Sequence, residues 1–189
     1  MIVCKSLTLG YDGKTVLENL NYTFPDTRAV ALMGASGSGK TTLLRAVGGL
    51  LKPMQGNISG TENKKIAFLF QEDRLLPWCS ALQNVALSGC GRERAAEWLK
   101  RLGIEDMDKL PAELSGGMAR RVAIARALGF GGDLLLMDEP FTGLDEDTKQ
   151  AVIHVILQTA PNIIMTTHDV QEAEWMNAEI IRMEDLKNE

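Results

Sequence analysis

The chain has 189 residues, of which 45% are hydrophobic and 24% charged, the composition of a globular protein that can bury a core without disulfides or metal. Its 20 basic and 25 acidic side chains give a formal net charge of −5, which argues against nucleic acid as a partner because nucleic-acid-binding domains usually present a basic surface. The 3 cysteines form no Cys-x-x-Cys pair, so free thiols in a reducing compartment are expected rather than a zinc site or a disulfide framework.

The N-terminal part is predicted to be an antiparallel β subdomain. Residues 2–24 alternate apolar and polar side chains around a Tyr-Asp-Gly turn at 11–13, the pattern of strands with one solvated face. No basic stretch followed by a long apolar segment precedes it, and no run of about 18 apolar residues occurs anywhere. We therefore expect a cytoplasmic protein with neither a signal peptide nor a membrane span.

The remainder of the chain predicts an α/β core at both ends with a helical insertion between. Two apolar strands separated by a helix in the last third imply a right-handed crossover and a parallel sheet. The predicted strands are 29–33, 65–70, 134–137, 163–167 and 179–183, and the predicted helices are 41–51, several within 80–128 (with breaks at 89–91 and 111), and 147–159.

A glycine-rich segment matches G-x-x-x-x-G-K-[ST], a phosphate-binding loop. Its glycines let successive N–H groups point inward at phosphate oxygens, and the helix that follows adds positive potential at its N-terminus. Lys40 is expected to reach the β- and γ-phosphates and Thr41 to ligate Mg²⁺. The preceding strand and the following helix make an accidental match improbable. The residues are Gly34, Ala35, Ser36, Gly37, Ser38, Gly39, Lys40 and Thr41.

Two carboxylates end the predicted strand 134–137. Asp138 lies at the carboxyl end of a buried strand, where open parallel sheets bind ligands, and is expected to hold Mg²⁺. Glu139 follows it and can orient or deprotonate the attacking water. An acidic turn before Pro140 is the plainer alternative, but an intact phosphate loop favours a P-loop NTPase. A GTPase would show N-K-x-D, which 63–66 lacks at the final position, whereas a kinase acting on a metabolite stays possible at this point.

The segment from Leu114 to Leu128 resembles the signature of ABC ATPases. It reads Leu-Ser-Gly-Gly-Met followed by a basic and apolar helix, with Ser115 as the helix cap. This is a second anion-binding turn in a chain with one phosphate loop. The resemblance implies that two such domains pair head to tail, each signature closing on the ATP of its partner through Ser115, Gly116 and Gly117.

Further positions match the family in order and spacing, and their roles are carried over from it. Gln71 corresponds to the glutamine that links Mg²⁺ and the attacking water to the helical lobe, and His168 to the histidine that contacts the γ-phosphate. Tyr11 corresponds to the aromatic residue beneath adenine, and Thr42 completes the loop. The segment 143–145 corresponds to a dimer-contacting loop. A structural histidine and a plain strand tyrosine are the alternatives, and His154 is interpreted as structural.

The resemblance implies a P-loop NTPase with a RecA-like α/β core at about 1–71 and 131–189, and a helical subdomain at about 72–130. Among its members, the segment 71–78 is most similar to importers of nitrate, sulfonates and taurine. The implied partners are a second nucleotide-binding domain, most simply in a homodimer, transmembrane permease subunits and a solute-binding protein, with the chain peripheral on the inner face of the membrane. Met118 and 142–143 depart from the usual signature and loop residues.

Two uses of the segment 71–78 and two rival functions stay open. Its apolar residues 75–78 can form part of a groove that receives a short helix of the membrane subunit, or Trp78 can pack in the core.

The first rival function is a soluble ABC-type ATPase acting on DNA, ribosomes or Fe–S assembly, which the acidic charge and the single cassette disfavour. The second, a kinase, is disfavoured by the signature and His168.

Overall fold

The computed structural model describes residues 1–187, which contain eight strands and six α-helices. The strands are β1 Val3–Tyr11, β2 Lys14–Thr23, β3 Ala29–Met33, β4 Gln55–Ser59, β5 Ile66–Leu69, β6 Leu134–Asp138, β7 Ile163–Thr166 and β8 Glu179–Arg182. The helices are α1 Lys40–Val47, α2 Ala81–Ala86, α3 Arg92–Arg101, α4 Gly116–Phe130, α5 Glu146–Thr159 and α6 Val170–Trp175. None of these helices is long and apolar enough to cross a membrane.

The chain divides into two compact units. The first contains residues 1–64, 136–138 and those from Asn162 onward, and the second contains 65–135 and 139–161. Strand β6 therefore begins in the second unit and ends in the first. The predicted limits of the helical subdomain, 72–130, stay a prediction, and the last two residues of the predicted 131–189 segment lie outside the described residues.

The first unit contains the predicted antiparallel sheet and a parallel sheet. Strand β1 pairs antiparallel with both β2 and β4, giving the order β2-β1-β4. In the parallel sheet β3 lies between β7 and β8, and the end of β6 lies beside β7. Strands β3, β6 and β7 are buried at every position, as expected for central parallel strands covered on both faces. Their carboxyl ends meet at one edge, where the phosphate loop follows β3.

The second unit is mainly helical. Strand β5 lies beside β6, and α4 packs against β5 and against α2, α3 and α5. Helix α4 is buried on most of its circumference, as expected for an inner helix surrounded by other elements. Helix α2 begins with a capping box in which Ser80 Oγ accepts from the Gln83 N–H and the Gln83 side chain accepts from the Ser80 N–H.

The structure agrees with most of the predicted elements and corrects two details. Helix α1 ends at Val47 instead of residue 51, because Gly48 caps it and Gly49 adopts a φ of 71°, which leaves Leu50 55% exposed. The predicted helical stretch 80–128 is found with its breaks at 89–91 and 111, and it consists of α2, α3, a short 3₁₀ turn at Pro111–Glu113 and most of α4. Strand β4 and helix α6 were not predicted.

Candidate active site

The phosphate loop connects β3 to α1 in the first unit. Gly37 and Gly39 have φ values of 79° and 104°, and a Cβ on Gly39 would lie 2.9 Å from the Leu17 side chain, so this position requires glycine for two reasons. Helix α1 starts without a side-chain cap and without an acidic residue in its first turn. The amides of its first turn therefore remain available to an anion.

The Lys40 side chain lies along this loop. Lys40 is only 9% exposed, and its Nζ donates to the main-chain oxygens of Gly34 at 2.7 Å and Ala35 at 3.1 Å. These bonds hold a positive charge beside the helix N-terminus, where it adds to the potential of the helix dipole. The arrangement is suited to binding a polyphosphate.

Asp138, at the end of β6, is a buried carboxylate that binds two hydroxyl groups. Its Oδ1 accepts from Thr41 Oγ1 at 2.9 Å and from Thr166 Oγ1 at 2.7 Å, and the residue is 1% exposed. Thr41 comes from α1 and Thr166 from β7, so three elements of the first unit converge on one carboxyl oxygen. Thr166 was not predicted as a site residue, although a threonine at the end of a predicted central strand is a detectable signal.

His168 lies at the same edge of the parallel sheet. It is exposed and lines an open cleft of about 320 Å³ together with Gly34, Ala35 and Arg182. Thr167, before it, is buried and donates to Glu172 Oε2, which anchors the turn that carries His168 to α6. Tyr11 is 39% exposed, and Arg45 Nη1 lies 3.5 Å from its hydroxyl. The first unit thus brings together the loop, Asp138 and His168.

The residues of this unit fit ATP and Mg²⁺. Ser38 Oγ is buried and makes no hydrogen bond within the described residues, so the loop contains a hydroxyl group that a phosphate oxygen could bind. A threonine hydroxyl beside a carboxylate is the donor set by which P-loop proteins hold Mg²⁺. An additional cluster of metal ligands is not needed for this fit.

Gln71 and Glu139 lie in the second unit. Gln71 follows β5 and is exposed. Glu139 is partly buried and has a φ of 47°, a left-handed conformation that costs a non-glycine residue roughly 1–2 kcal/mol. Its main-chain oxygen accepts from Thr142 Oγ1 at 3.2 Å and from the Thr142 N–H at 3.5 Å, which offsets part of this cost. The backbone at Glu139 is therefore held in a specific and unusual conformation.

The signature forms the start of α4, as predicted. Ser115 is the N-cap, with Oγ accepting from the Met118 N–H at 3.2 Å, and Gly116 and Gly117 are the first helical residues. A Cβ on Gly117 would lie 3.4 Å from the Gly143 oxygen, so the signature lies beside the predicted dimer-contacting loop 143–145. Ser115 and Gly116 are exposed and offer the helix N-terminus to another molecule.

The alternative in which Trp78 packs in the core is wrong, because Trp78 is 73% exposed. Leu75 and Leu76 are half-buried, and Leu76 lines a groove of about 330 Å³ in the second unit, most of whose lining residues are apolar, among them Ile66, Phe68 and Phe130. His154 lies on α5, is exposed and pairs with Gln158 of the same helix, which agrees with a structural role.

The comparisons with known proteins agree with this fold. A family model described as ABC transporter matches residues 17–142. The chain is similar to the aliphatic sulfonates import ATP-binding protein SsuB 3 of Nocardia farcinica, at 45% identity over 86% of this chain and 68% of the relative. It is also similar to SsuB 2 of Rhodococcus jostii, at 44% identity over 89% of this chain and 72% of that protein.

Solved structures show the same fold. A dimeric post-hydrolysis state of the ATP-binding cassette MJ0796, bound to ADP and Pi, superimposes with a TM-score of 0.84 at 31% identity, covering 96% of this chain and 94% of that chain. A putative ABC transporter ATP-binding protein from Pyrococcus furiosus gives a TM-score of 0.83 at 26% identity and 99% coverage of both chains.

Fold and site together define a P-loop ATPase with a RecA-like α/β core, an antiparallel β subdomain and inserted helices. The chain belongs to the ABC transporter family. Within it the chain is an ATP-binding and ATP-hydrolysing subunit, and the predicted resemblance to the sulfonate importer type is confirmed by its relatives.

Proposed function

We propose that the chain is the ATP-driven motor of an importer for a small organic anion, with aliphatic sulfonates as the favoured solute. The solute is suggested by several relatives, each of which is an aliphatic sulfonates import ATP-binding protein. The observation that carries the ATPase part is the convergence of Lys40, Thr41 and Asp138 at the end of the parallel sheet. Solute selectivity itself belongs to the permease and to a solute-binding protein.

The first unit binds the nucleotide. Lys40 and the amides of residues 34–42 neutralise the phosphates, and the ring of Tyr11 supports adenine. Thr41, Asp138 and Gln71 would hold Mg²⁺, which would supply charge neutralisation at the β- and γ-phosphates. His168, at the same sheet edge as the loop, donates to the γ-phosphate. The buried hydrogen bonds to Asp138 keep its carboxylate oriented toward this site.

Glu139 is the general base that deprotonates the attacking water. It follows the Mg²⁺-binding Asp138 directly, and its left-handed backbone determines the direction in which its side chain leaves the strand. Gln71 links the same water to the helical elements of the second unit. Water attacks the γ-phosphorus in line, the bond from that phosphorus to the oxygen bridging it to the β-phosphate breaks so that ADP leaves, and the proton of the water passes to the Glu139 carboxylate.

The working unit is a head-to-tail dimer of two copies of this chain. Ser115, Gly116 and Gly117 of one copy bind the γ-phosphate held by the other, because the exposed start of α4 is an anion-binding N-terminus that the same chain does not need. The dimeric ATP-binding cassette among the similar structures supports this arrangement.

The permease contacts the segment 71–78. Trp78 is largely exposed and the neighbouring groove is lined mostly by apolar residues, so this surface is suited to a short amphipathic helix from a membrane subunit. Attachment there would keep the chain peripheral, on the inner face of the cell membrane.

Replacing Glu139 by Gln tests the assignment of the base. We expect Glu139→Gln to reduce ATP turnover by at least about 100-fold, because the amide cannot accept the proton, while ATP binding is retained. The variant should also accumulate as an ATP-bound dimer in size-exclusion chromatography. Wild-type turnover in this variant would overturn the assignment.

Affinity purification from gently solubilised native membranes tests the transport role. A multi-spanning permease recovered in stoichiometric amount supports it. Recovery from the soluble fraction with ribosomes, DNA or Fe–S proteins would contradict transport and leave the ATPase assignment standing.

A further inference from the structure

Arg120 is an almost completely buried arginine one turn beyond the start of α4. Its side chain is 3% exposed, and the nearest carboxylate partner is Asp73, with 3.1 Å between Nη1 and Oδ1. Burying a guanidinium is costly unless its N–H groups are paired, so such a residue needs a dense set of acceptors. Four further acceptors are main-chain oxygens, and they come from two separate segments of the second unit.

The first segment follows β5. Arg120 Nη1 donates to the main-chain oxygen of Phe70 at 2.7 Å and of Gln71 at 3.2 Å. These bonds fix the point at which the chain leaves the strand and turns into the segment 71–78. They hold the peptide from which the Gln71 side chain extends.

The second segment directly follows β6. Arg120 Nε donates to the Pro140 oxygen at 2.8 Å, and Nη2 donates to the Glu139 oxygen at 2.8 Å. The Glu139 oxygen also receives the two weaker bonds from Thr142. The bond from Arg120 is therefore the shortest of these three at the residue whose backbone is left-handed.

We propose that Arg120 is a positioning residue for ATP hydrolysis, because it binds the main-chain oxygens of Gln71 and Glu139 at the same time. The guanidinium fixes the backbone on which both side chains are mounted and makes their placement depend on α4, the helix that begins with the signature. This inference rests on the proposed function, which assigns roles to those two side chains. Arg120 itself contacts neither nucleotide nor water in this scheme.

Arg126 offers a matched control on the same helix. Its guanidinium donates to the main-chain oxygens of Asp73 at 2.7 Å and Arg74 at 2.8 Å, and burial lowers its pKa, an effect that Asp73 partly opposes. Arg126 is thus a half-buried arginine bonded to carbonyls of the first segment. It makes no recorded bond to Glu139 or Pro140 within the described residues. Arg126→Lys removes the same kind of bonds without loosening the second segment.

The test compares Arg120→Lys and Arg126→Lys in the purified full-length chain. Lysine keeps the charge but loses the fork that reaches two segments at once. We expect Arg120→Lys to lower kcat by about 10- to 100-fold, since small displacements of reacting groups are that costly, while the Kd for ATP changes by less than about twofold. Arg126→Lys should keep kcat within about twofold of wild type. Both variants should melt at a lower temperature.

Amide hydrogen exchange provides a readout independent of turnover. The Thr142 N–H bonds the Glu139 oxygen, so we expect exchange in the segment 141–144 to accelerate in Arg120→Lys and to stay at the wild-type rate in Arg126→Lys. If Arg120→Lys does not fold, Arg120→Gln, a shorter neutral donor, is measured in the same way.

Two results would overturn the proposal: an unchanged kcat in the Arg120 variant, or an equal loss of kcat in both variants. Its failure can be told from failure of the proposed function. If Glu139→Gln is inactive but Arg120→Lys turns over normally, only the positioning role is wrong. If Glu139→Gln itself hydrolyses ATP, the proposed function is wrong.

Discussion

At the scale of single residues, Asp138 is a buried carboxylate whose charge is compensated and whose orientation is fixed by hydrogen bonds. A carboxylate that is 1% exposed must be compensated by hydrogen bonds, and the two hydroxyl groups of Thr41 and Thr166 supply them on one oxygen. Thr41 lies in the first turn of α1, and Thr166 is the last residue of β7. The carboxylate is thereby oriented by the fold before any cation binds.

Thr166→Val tests how much this orientation contributes to stability. The isosteric change removes one donor and leaves a buried carboxylate oxygen with fewer bonds, so we expect a loss of about 1–3 kcal/mol in the free energy of unfolding. The measurement is urea unfolding followed by circular dichroism.

Thr159→Val is the matched control for that experiment. Thr159 Oγ1 donates to the Val155 oxygen within α5, and that oxygen also serves the helix. We expect Thr159→Val to cost less than about 1 kcal/mol. Equal losses in the two variants would contradict a special role for the bond to Asp138.

The sequence predicts some functional residues and misses others for a physical reason. Lys40, Thr41 and Asp138 are predictable because phosphate and metal binding require certain residue types at fixed spacing. Arg120 is harder, because its acceptors are main-chain oxygens far away along the chain and any residue supplies such an oxygen. A signal existed in its position on the same helix face as the buried Ala123 and Ala127.

At the scale of elements, helix caps determine where helices start. Asp145 is the N-cap of α5 and accepts from the Thr148 N–H at 2.9 Å and Thr148 Oγ1 at 2.8 Å. Both bonds hold the pKa of Asp145 below its ordinary value of 3.8, and the bond from the Thr148 backbone N–H has the larger effect. Since the folded state favours the ionised form, the contribution to stability is present above pH 3.8 and disappears as the pH falls through the lowered pKa.

Asp145→Ala should therefore lower the urea midpoint at pH 7, because the orphan amides of the first turn lose their acceptor. The gap between wild type and variant should narrow only below pH 3.8, as the wild-type carboxyl becomes protonated. Asp145→Asn, which keeps an acceptor oxygen, should show a smaller gap at pH 7. A gap to the Ala variant that stays constant through the acid range would contradict the cap assignment.

Elements with a strong pattern were predicted better than those formed by tertiary contacts. The buried strands β3, β6 and β7 are recognisable in the sequence as runs of consecutive apolar residues. Strand β4 does not, because it is polar, largely exposed and contains Gly56 at a φ of 75°. It is a strand because β1 offers a free edge to which its backbone bonds. The end of α1 was missed because apolar residues continue past Gly48.

At the scale of the whole molecule, the proposed dimer places the two halves of each ATP site on different copies. Gly116 is well suited to test this, because a Cβ added there would meet no atom within 4 Å among the described residues beyond its chain neighbours and its own helix backbone. An aspartate in the first turn is also compatible with the helix dipole. Gly116→Asp should therefore fold normally and block ATP bound by a partner.

Mixing Lys40→Ala with Gly116→Asp should restore activity that neither variant has alone. In a mixed dimer one site contains both changes and the other contains neither, so an equal mixture should regain about a quarter of the wild-type sites. Hydrolysis of ATP by the mixture against each variant alone is the measurement. Absence of any recovery, with both variants folded and able to form dimers, would rule out sites shared head to tail.

The main-chain partners of Arg120 also bear on how such a protein can change during evolution. An ion pair between two side chains is lost when either residue mutates, whereas a carbonyl persists whatever side chain its residue carries. Four of the five acceptors named here are carbonyls. Substitutions at Phe70 or Pro140 that keep the backbone path would leave the hydrogen bonds from Arg120 intact. A substitution of Arg120 itself would remove all of them. The sequences of these two segments can therefore change while their placement relative to each other still depends on one residue, Arg120.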